Sequence, residues 1–220
     1  MKILALEFSS PQRSVALVHE ELDAGPRCSG EAIETGEHRT DALGLVDAAL
    51  GQAQLDRGQV ECLTIGLGPG SYTGIRLAIA LAQGWQLAAP VKLLGLSSAE
   101  CLAAQAQAEG IVGRVEIVID AQRNEFYLAA YDVGPHTRQE IEPLRLATLA
   151  EVQARHQAGA LLIGPEVTKW CPGGRVLFPR AATLGQLARG RTDFVAGERL
   201  EPIYLRETRF VKAPPHRIIE

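Results

Sequence analysis

The sequence lacks the features that identify several large classes of proteins. Its four cysteines are scattered, with no Cys-x-x-Cys pair, which excludes a disulfide framework and a zinc knuckle. Only 5% of its residues are aromatic, and its net charge is −4, so no strong basic field favours direct binding of nucleic acid. If RNA is a partner, we expect another molecule to supply the positive surface.

Long apolar runs are also missing. Glu7 interrupts the N-terminal apolar run too early for a secretory signal. The most apolar stretch, 75–89, contains Gln83 and Gln86 and is too short to span a bilayer. These absences predict a cytoplasmic protein that does not engage a membrane.

The sequence contains no recognisable catalytic set. It has neither a Gly-x-Ser-x-Gly elbow nor a His-Glu-x-x-His motif, and none of its five histidines is spaced from another as a metal pair on one helix face. We therefore predict no catalytic residue and no metal site. Glu7 and Asp120 each end a predicted strand, one in each half of the chain. They are either paired carboxylates, as in two-lobed phosphotransferases, or hydrogen-bonded turn acids.

What the chain does contain is a regular succession of strand and helix patterns, in a composition that is 46% hydrophobic. The first half predicts strands at 2–7, 14–19, 31–35, 60–67 and 91–94, and helices at 37–54, 72–89 and 98–108. The second half predicts strands at 114–120, 125–131 and 160–163, and helices at 148–157 and 181–189. This order predicts an α/β fold of mixed sheets flanked by helices. We expect two lobes, 1–108 and 109–220, with the C-terminal tail free to pack back on the first.

The most informative motif lies between a predicted strand and a predicted helix: Gly68-Pro69-Gly70-Ser71-Tyr72-Thr73-Gly74-Ile75-Arg76. Such a turn either points free N–H groups at a phosphate or only makes a tight connection. The P-loop lysine is absent after Gly74, and the dinucleotide fingerprint fails because Thr73 stands at its last glycine position. Both interpretations stay open. The candidate residues near a phosphate or nucleotide are Glu7, Gly70, Ser71, Thr73 and Asp120.

The helix that follows this motif is apolar on every face. Only Arg76, Gln83 and Gln86 are strongly polar in 75–89, whereas an ordinary surface helix has one polar face that is exposed to solvent. This helix is therefore covered either by its own sheet and the preceding helix, or by a partner protein in a bundle that helix 37–54 would join.

Small side chains on this helix would let another helix approach closely. They are Ala78 and Ala82 and, toward the other side, Ala80 and Gly84. The candidate partner-interface residues are His38, Ala42, Leu45, Val46, Ala49, Tyr72, Arg76, Ala78, Ile79, Ala82, Gln83 and Gln86.

Five segments together resemble the TsaB (YeaZ) family, and they occur in that family's order. They are the glycine-rich run 68–76, Lys2-Ile3-Leu4-Ala5-Leu6, Ile119-Asp120-Ala121, Glu125-Phe126-Tyr127 and Glu201-Pro202-Ile203-Tyr204-Leu205-Arg206. The resemblance covers nearly the whole chain, and the glycine-rich run is highly specific to the family. It implies the two-lobed actin-like (ASKHA) fold that heat-shock chaperones and sugar kinases share.

The resemblance also implies a function without catalysis. TsaB proteins act as scaffolds for the enzyme TsaD, which moves a threonylcarbamoyl group onto adenosine 37 of tRNAs that read codons beginning with A. The pairing uses the helices that correspond to 38–54 and 72–89 here, and an ATPase, TsaE, joins the complex. The same surface forms a homodimer when TsaD is absent, and ADP or ATP is expected at the junction with TsaD, not as a cofactor of this chain.

Several positions depart from related patterns. TsaD binds its metal through a His-x-x-x-His helix, and the matching positions here hold Ser98 and Leu102, neither of which replaces imidazole as a ligand. Glu7 stands where relatives commonly carry Asp, and Gln122 where many carry Arg. Two alternatives remain: an enzyme of the same fold, acting as a small-molecule kinase or a metallopeptidase, and a stand-alone homodimer with a regulatory role.

Overall fold

Two mixed sheets organise the chain in a computed structural model, which describes residues 1–21, 25–36 and 40–206. The first sheet contains β1 (Ile3–Glu7), β2 (Gln12–Glu21), β3 (Gly25–Thr35), β4 (Cys62–Gly66) and β5 (Lys92–Leu96), in the order β3-β2-β1-β4-β5. The second contains β6 (Gly113–Asp120), β7 (Glu125–Val133), β8 (Arg138–Thr148), β9 (Leu161–Gly164) and β10 (Arg175–Val176), in the order β10-β9-β6-β7-β8. The helices are α1 (Ala42–Gln52), α2 (Tyr72–Ala88), α3 (Ser98–Ala108), α4 (Leu149–Gln157) and α5 (Ala181–Leu187).

The first sheet is buried on both faces because helices cover both. Strand side chains alternate between the faces of a sheet, so Leu4 and Leu6 of β1 pack with α1 and α2, whereas Ile3 and Ala5 pack with α3 and α5. Each of these side chains is at most 1% exposed. Burial on both faces explains why β1 is a continuous apolar run without alternation.

The second sheet is covered in the same way. Val115, Ile117 and Ile119 of β6 point toward α3, and Val118 points toward the side that α4 covers through Val152. The helix α3 therefore packs in both halves of the molecule, since its Cys101 belongs to the core of the first sheet. This arrangement is the two-lobed ASKHA fold that the resemblance implies.

The C-terminal part of the described chain returns to the first sheet. The Ala181 N–H donates to the Ser14 hydroxyl on β2 (2.9 Å), and Arg180 forms an ion pair with Glu31 of β3. After α5, Val195 pairs with Leu93 at the edge of β5. The division of the chain into lobes at residues 108 and 109 stays a prediction.

The predicted elements are present, with three differences in the strands, one of which is the short unpredicted strand β10. The strand predicted at 31–35 begins at Gly25, six residues earlier than predicted. The strand β8 was not predicted, because Pro143 and four charged residues interrupt its apolar residues. Within the described residues, no helix has both the length and the hydrophobicity needed to cross a bilayer.

Charged residues hold β8 against α4. Arg155 of α4 donates two hydrogen bonds to Glu142, each of 2.8 Å, and Arg145 of β8 donates to Glu142 at 2.6 Å and to Glu151. These bonds, led by those from Arg155, lower the pKa of Glu142 to about 2. These ion pairs join β8 to α4, and Leu144 and Leu146 of β8 pack against the core of the second sheet.

We predict that Glu142→Gln destabilises the protein at neutral pH and that this loss shrinks as the pH falls from 7 to 3. A carboxyl with a lowered pKa stabilises the folded state above its unfolded pKa, about 4.5, and loses that contribution as the pH falls toward 2. Urea unfolding of both proteins between pH 7 and pH 3 measures the difference. A difference that stays constant over this range would contradict the assignment.

Candidate functional site

The glycine-rich loop packs directly against the end of β1. A Cβ atom on Gly70 would collide with the carbonyl oxygen of Ser9, and one on Gly74 would collide with the carbonyl oxygen of Phe8. Gly70 also has a φ of 147°, which disfavours any L side chain. These glycines are therefore required by the close approach of two backbone segments, whether or not the loop binds a ligand.

The polar groups of the loop are used within the protein. The Ser71 N–H donates to the Ser9 carbonyl (2.7 Å), and the Ser71 hydroxyl accepts from the Gly74 N–H (3.4 Å), which caps α2. Of the two interpretations of the motif, these contacts favour the tight structural connection.

Glu7 lies behind this loop and is fully buried. Its carboxylate accepts hydrogen bonds from the Ser9 N–H and the Ser98 hydroxyl, each at 2.8 Å. Ser98 in turn accepts from the Gly68 N–H at 3.2 Å. Burial raises the pKa of Glu7 above its usual value, and the hydrogen bonds from Ser9 and Ser98 oppose that rise. Glu7 thus joins β1, the loop and α3, and its placement near a bound phosphate is corrected because it does not reach the cleft.

A cleft of about 420 Å³ opens between the lobes. The first lobe contributes Ser9, Gly70 and Ser71, and the second contributes Asp120 and Tyr127. Of the five residues predicted near a phosphate or nucleotide, Gly70, Ser71 and Asp120 line this cleft. Thr73 is exposed on α2 and does not line it.

The charged groups at the cleft already have partners in the protein. Asp120 accepts from the backbone N–H of Gln122 (2.7 Å) and from its side-chain amide (3.1 Å). Arg206 donates to the carbonyls of Ala121 (2.8 Å) and Gln122 (3.0 Å) and to Glu125 (2.5 Å). Asp120 therefore has the geometry of a turn acid. The described residues contain no group of three or more His, Cys, Asp or Glu side chains that could hold a metal.

Three consecutive residues of the turn between β6 and β7 have left-handed backbone conformations. Gln122, Arg123 and Asn124 have φ values of 66°, 60° and 60°. A non-glycine residue in this region costs on the order of 1 kcal/mol, so the surrounding contacts must hold the turn in place. Arg206 supplies such contacts, and no local pattern indicates this pairing because 81 residues separate Arg206 from Glu125.

The face of α2 that was predicted to bind a partner is buried within the chain. Ala78 and Ala82 are 0% exposed, and Ile79 is 6% exposed. They pack with the inner residues of α1 and with the first sheet. The predicted interface residues Ala42, Val46 and Ala49 of α1 lie in the same core, with Leu45 partly buried against it. These positions are corrected from interface to core: small side chains here let α2 lie close to its own sheet.

The remaining predicted interface residues lie elsewhere. Gln83 donates its amide to the Gly197 carbonyl, and Gln86 accepts from the Gly197 N–H, both at 2.9 Å, so the chain itself uses both side chains. Tyr72 and Arg76 are exposed, and they contact each other through a hydrogen bond of 2.8 Å. His38 lies outside the described residues.

The other side of α2 is apolar and open. We define the outer face of α2 by its exposed residues Ala80, Gly84, Leu87 and Ala88, flanked by Leu77, Leu81 and Trp85, which are partly exposed. Leu87 is 91% exposed. The sequence did indicate small residues on this side, at Ala80 and Gly84, but a helix that is apolar all round does not reveal which side its own core takes.

Comparisons with known proteins give a consistent result. A family model described as "TsaD: tRNA N6-adenosine threonylcarbamoyltransferase" matches residues 33–196. The Escherichia coli "tRNA threonylcarbamoyladenosine biosynthesis protein TsaB" is 29% identical over 230 residues, covering 94% of this chain and 95% of the relative. The Haemophilus influenzae protein of the same name is 32% identical over 133 residues, covering 59% of this chain and 53% of the relative. The solved structure of YeaZ from Pseudomonas aeruginosa superposes with a TM-score of 0.76 and 26% identity, covering 93% of this chain and 99% of that one.

We predict that Ala78→Arg and Ala80→Arg have opposite outcomes for folding. Ala78→Arg would bury an unpaired cation in the core, which costs more than about 3 kcal/mol, whereas Ala80→Arg lies on the outer face and should change stability by less than about 0.5 kcal/mol. Urea unfolding of the two variants measures both effects. Equal midpoints would show that α2 does not pack with this face inward.

We also predict that the free energy of unfolding of Glu7→Gln increases relative to that of the wild type as the pH rises above 4.5. A carboxyl whose pKa is raised by burial contributes most to stability below its unfolded value, and that contribution is lost as the pH rises through the folded pKa. The neutral variant escapes this loss. Unfolding free energies of both proteins at pH 4.5, 6 and 7.5 give the difference, which should grow with pH. A difference that is flat or shrinks would contradict a raised pKa of the buried Glu7.

Proposed function

This chain belongs to the TsaB (YeaZ) family, within the group of proteins that the TsaD family model matches, and from that membership we propose that it is a non-catalytic subunit for tRNA modification. In this proposal it takes part in threonylcarbamoyladenosine biosynthesis in the cytoplasm by binding TsaD. TsaD carries out the transfer to adenosine 37 of tRNAs that read codons beginning with A, and TsaE joins the assembly.

The observation that carries the proposal is the outer face of α2. Leu87 is 91% exposed, and its neighbours Ala80 and Gly84 present almost no side chain, so a second helix could lie close to the backbone of α2. Covering a leucine side chain contributes roughly 1.5–3 kcal/mol, which makes such an apolar surface a favourable contact for a partner. The pairing therefore uses the side of α2 opposite to the one the sequence suggested.

A second exposed apolar side chain lies at the start of α1. Leu43 is 51% exposed at the start of α1, whereas the inner residues of that helix are buried. In the absence of TsaD, we propose that the outer face of α2 pairs with a second copy of the chain. Pairing of two copies would cover this apolar surface, so that it is not left exposed to water.

The charge of the chain supports an indirect role toward tRNA. With a net charge of −4, it offers no strong positive field to the phosphate backbone, so we assign tRNA contact mainly to other subunits. We assign any ADP or ATP to the junction with TsaD, because Glu7 is buried and Asp120 and Arg206 are already bonded within the chain.

We predict that Leu87→Asp weakens binding to TsaD at least about tenfold, which corresponds to about 1.4 kcal/mol, because it places a charge in an apolar contact. Val112→Asp is the matched control, since Val112 is an apolar residue that is 60% exposed outside α2. Isothermal titration calorimetry with purified TsaD measures both affinities.

The same experiment tests the alternatives. Wild-type chain that fails to bind TsaD at high micromolar concentration, or Leu87→Asp that binds as tightly as Val112→Asp, would contradict the proposal. Phosphoryl transfer or peptide cleavage by the isolated chain would favour an enzyme of the same fold.

A further inference from the structure

One extended segment near the C-terminus contacts α2, the cleft and the second lobe in turn. We call residues 193–206 the strap. At its start, the Val195 N–H donates to the Leu93 carbonyl at the edge of β5 (2.9 Å). The strap then forms two hydrogen bonds with α2 through Gly197, from the Gln83 amide and to the Gln86 oxygen, both of 2.9 Å. The start of the strap is thus fixed to the C-terminal half of α2.

The middle of the strap runs along the glycine-rich loop. Leu200 is buried in the core of the first sheet, and the Ile203 N–H donates to the Leu67 carbonyl (2.8 Å) just before the loop. The Tyr204 ring lies 6.3 Å from the Tyr72 ring at the start of α2. Ile203 and Tyr204 also line the cleft, so this part of the strap is one of its walls.

The end of the strap reaches the second lobe. Arg206 donates to the carbonyls of Ala121 and Gln122 and to the Glu125 carboxylate, at 2.8, 3.0 and 2.5 Å. These acceptors belong to the turn between β6 and β7, which contains the three left-handed residues. A turn of this kind keeps its conformation only while neighbouring contacts hold it. Among the described contacts of the strap, those of Arg206 are the ones that join it to this turn.

We propose that the strap couples α2 to the β6–β7 turn, with Arg206 as the residue that positions the turn at the cleft. A change that loosens the strap at α2 would loosen the turn, and a molecule held on α2 would stabilise it. The coupling is physical because the strap is bonded to both elements and the turn has a strained conformation that it can leave. This assigns a role to the segment Glu201-Pro202-Ile203-Tyr204-Leu205-Arg206, which pairing through α2 alone does not explain.

Amide hydrogen exchange on the isolated full chain tests the coupling. The double variant Gln83→Ala/Gln86→Ala removes the two bonds at α2 and leaves Arg206 unchanged. We expect peptides covering 121–125 to exchange at least about fivefold faster, because the Glu125 N–H bond to the Gln122 carbonyl opens more often. Gln52→Ala is the matched control: it removes an amide oxygen that accepts from the Glu31 N–H, elsewhere in the first lobe.

Two outcomes of the comparison between the double variant and Gln52→Ala would overturn the proposal. One is unchanged exchange at 121–125 in the double variant while peptides of the strap itself exchange faster. The other is an equal increase at 121–125 in Gln52→Ala. Exchange of β1 peptides separates local opening of the turn from global unfolding, because global unfolding would accelerate exchange in β1 as well as in the turn.

Arg206→Lys provides a milder test at the other end of the strap. It keeps the charge but loses the planar donor fork, so the turn should exchange faster while β1 is unaffected. Unchanged turn exchange in Arg206→Lys and Arg206→Ala alike would also overturn it.

A second arm rests on the proposed function. Adding TsaD should slow exchange at 121–125 in the wild type, but not in Arg206→Ala, while the outer face of α2 is protected in both. Protection of α2 with no effect on the wild-type turn would overturn the coupling. Failure of TsaD to protect α2 at all would instead count against the proposed function, and the result on the isolated chain would still decide the coupling.

Discussion

The fold depends on the close approach of the glycine-rich loop to the end of β1. Gly70 and Gly74 lie against the carbonyl oxygens of Ser9 and Phe8, where no side chain fits. This contact determines where α2 begins and places the helix against the first sheet. Behind it, Glu7 binds Ser98 and so attaches α3, which packs in both lobes. The position of α2, the rear of the cleft and the link between the lobes all follow from this one junction of backbones.

The polar and charged groups beside that junction are bonded mainly to other parts of the same chain. Ser71 caps α2, Asp120 closes a turn and Arg206 binds the turn between β6 and β7. These three groups are therefore already hydrogen-bonded inside the chain. The most prominent apolar surface on α2 is its outer face, which supports a role in binding another protein.

Sequence reasoning identified the features that neighbouring residues determine, and it missed those that depend on contacts between residues far apart in the chain. The start of α2 could be predicted because Ser71 precedes a continuous apolar run, and α3 was predicted with its observed bounds. The strand β8 was missed because charged residues interrupt its apolar pattern, and its Glu142 and Arg145 pair with α4, which no local pattern reveals. The inward side of α2 was assigned wrongly, since a helix apolar on all sides has no periodicity to identify it. Glu7 and Ser98 are 91 residues apart, and no local pattern links them.

The same helix serves as core on one side and as exposed surface on the other, and this has a consequence for binding. Ala78 and Ala82 hold α2 against the sheet, and Gln83 and Gln86 attach its C-terminal half to the strap. The outer face is therefore already rigid before any partner arrives. A rigid surface loses little conformational entropy on association, so even a small apolar contact around Leu87 retains most of its free energy for binding. In the proposed pairing, the buried residues that were expected to touch a partner contribute indirectly, by holding in place the helix that makes the contact.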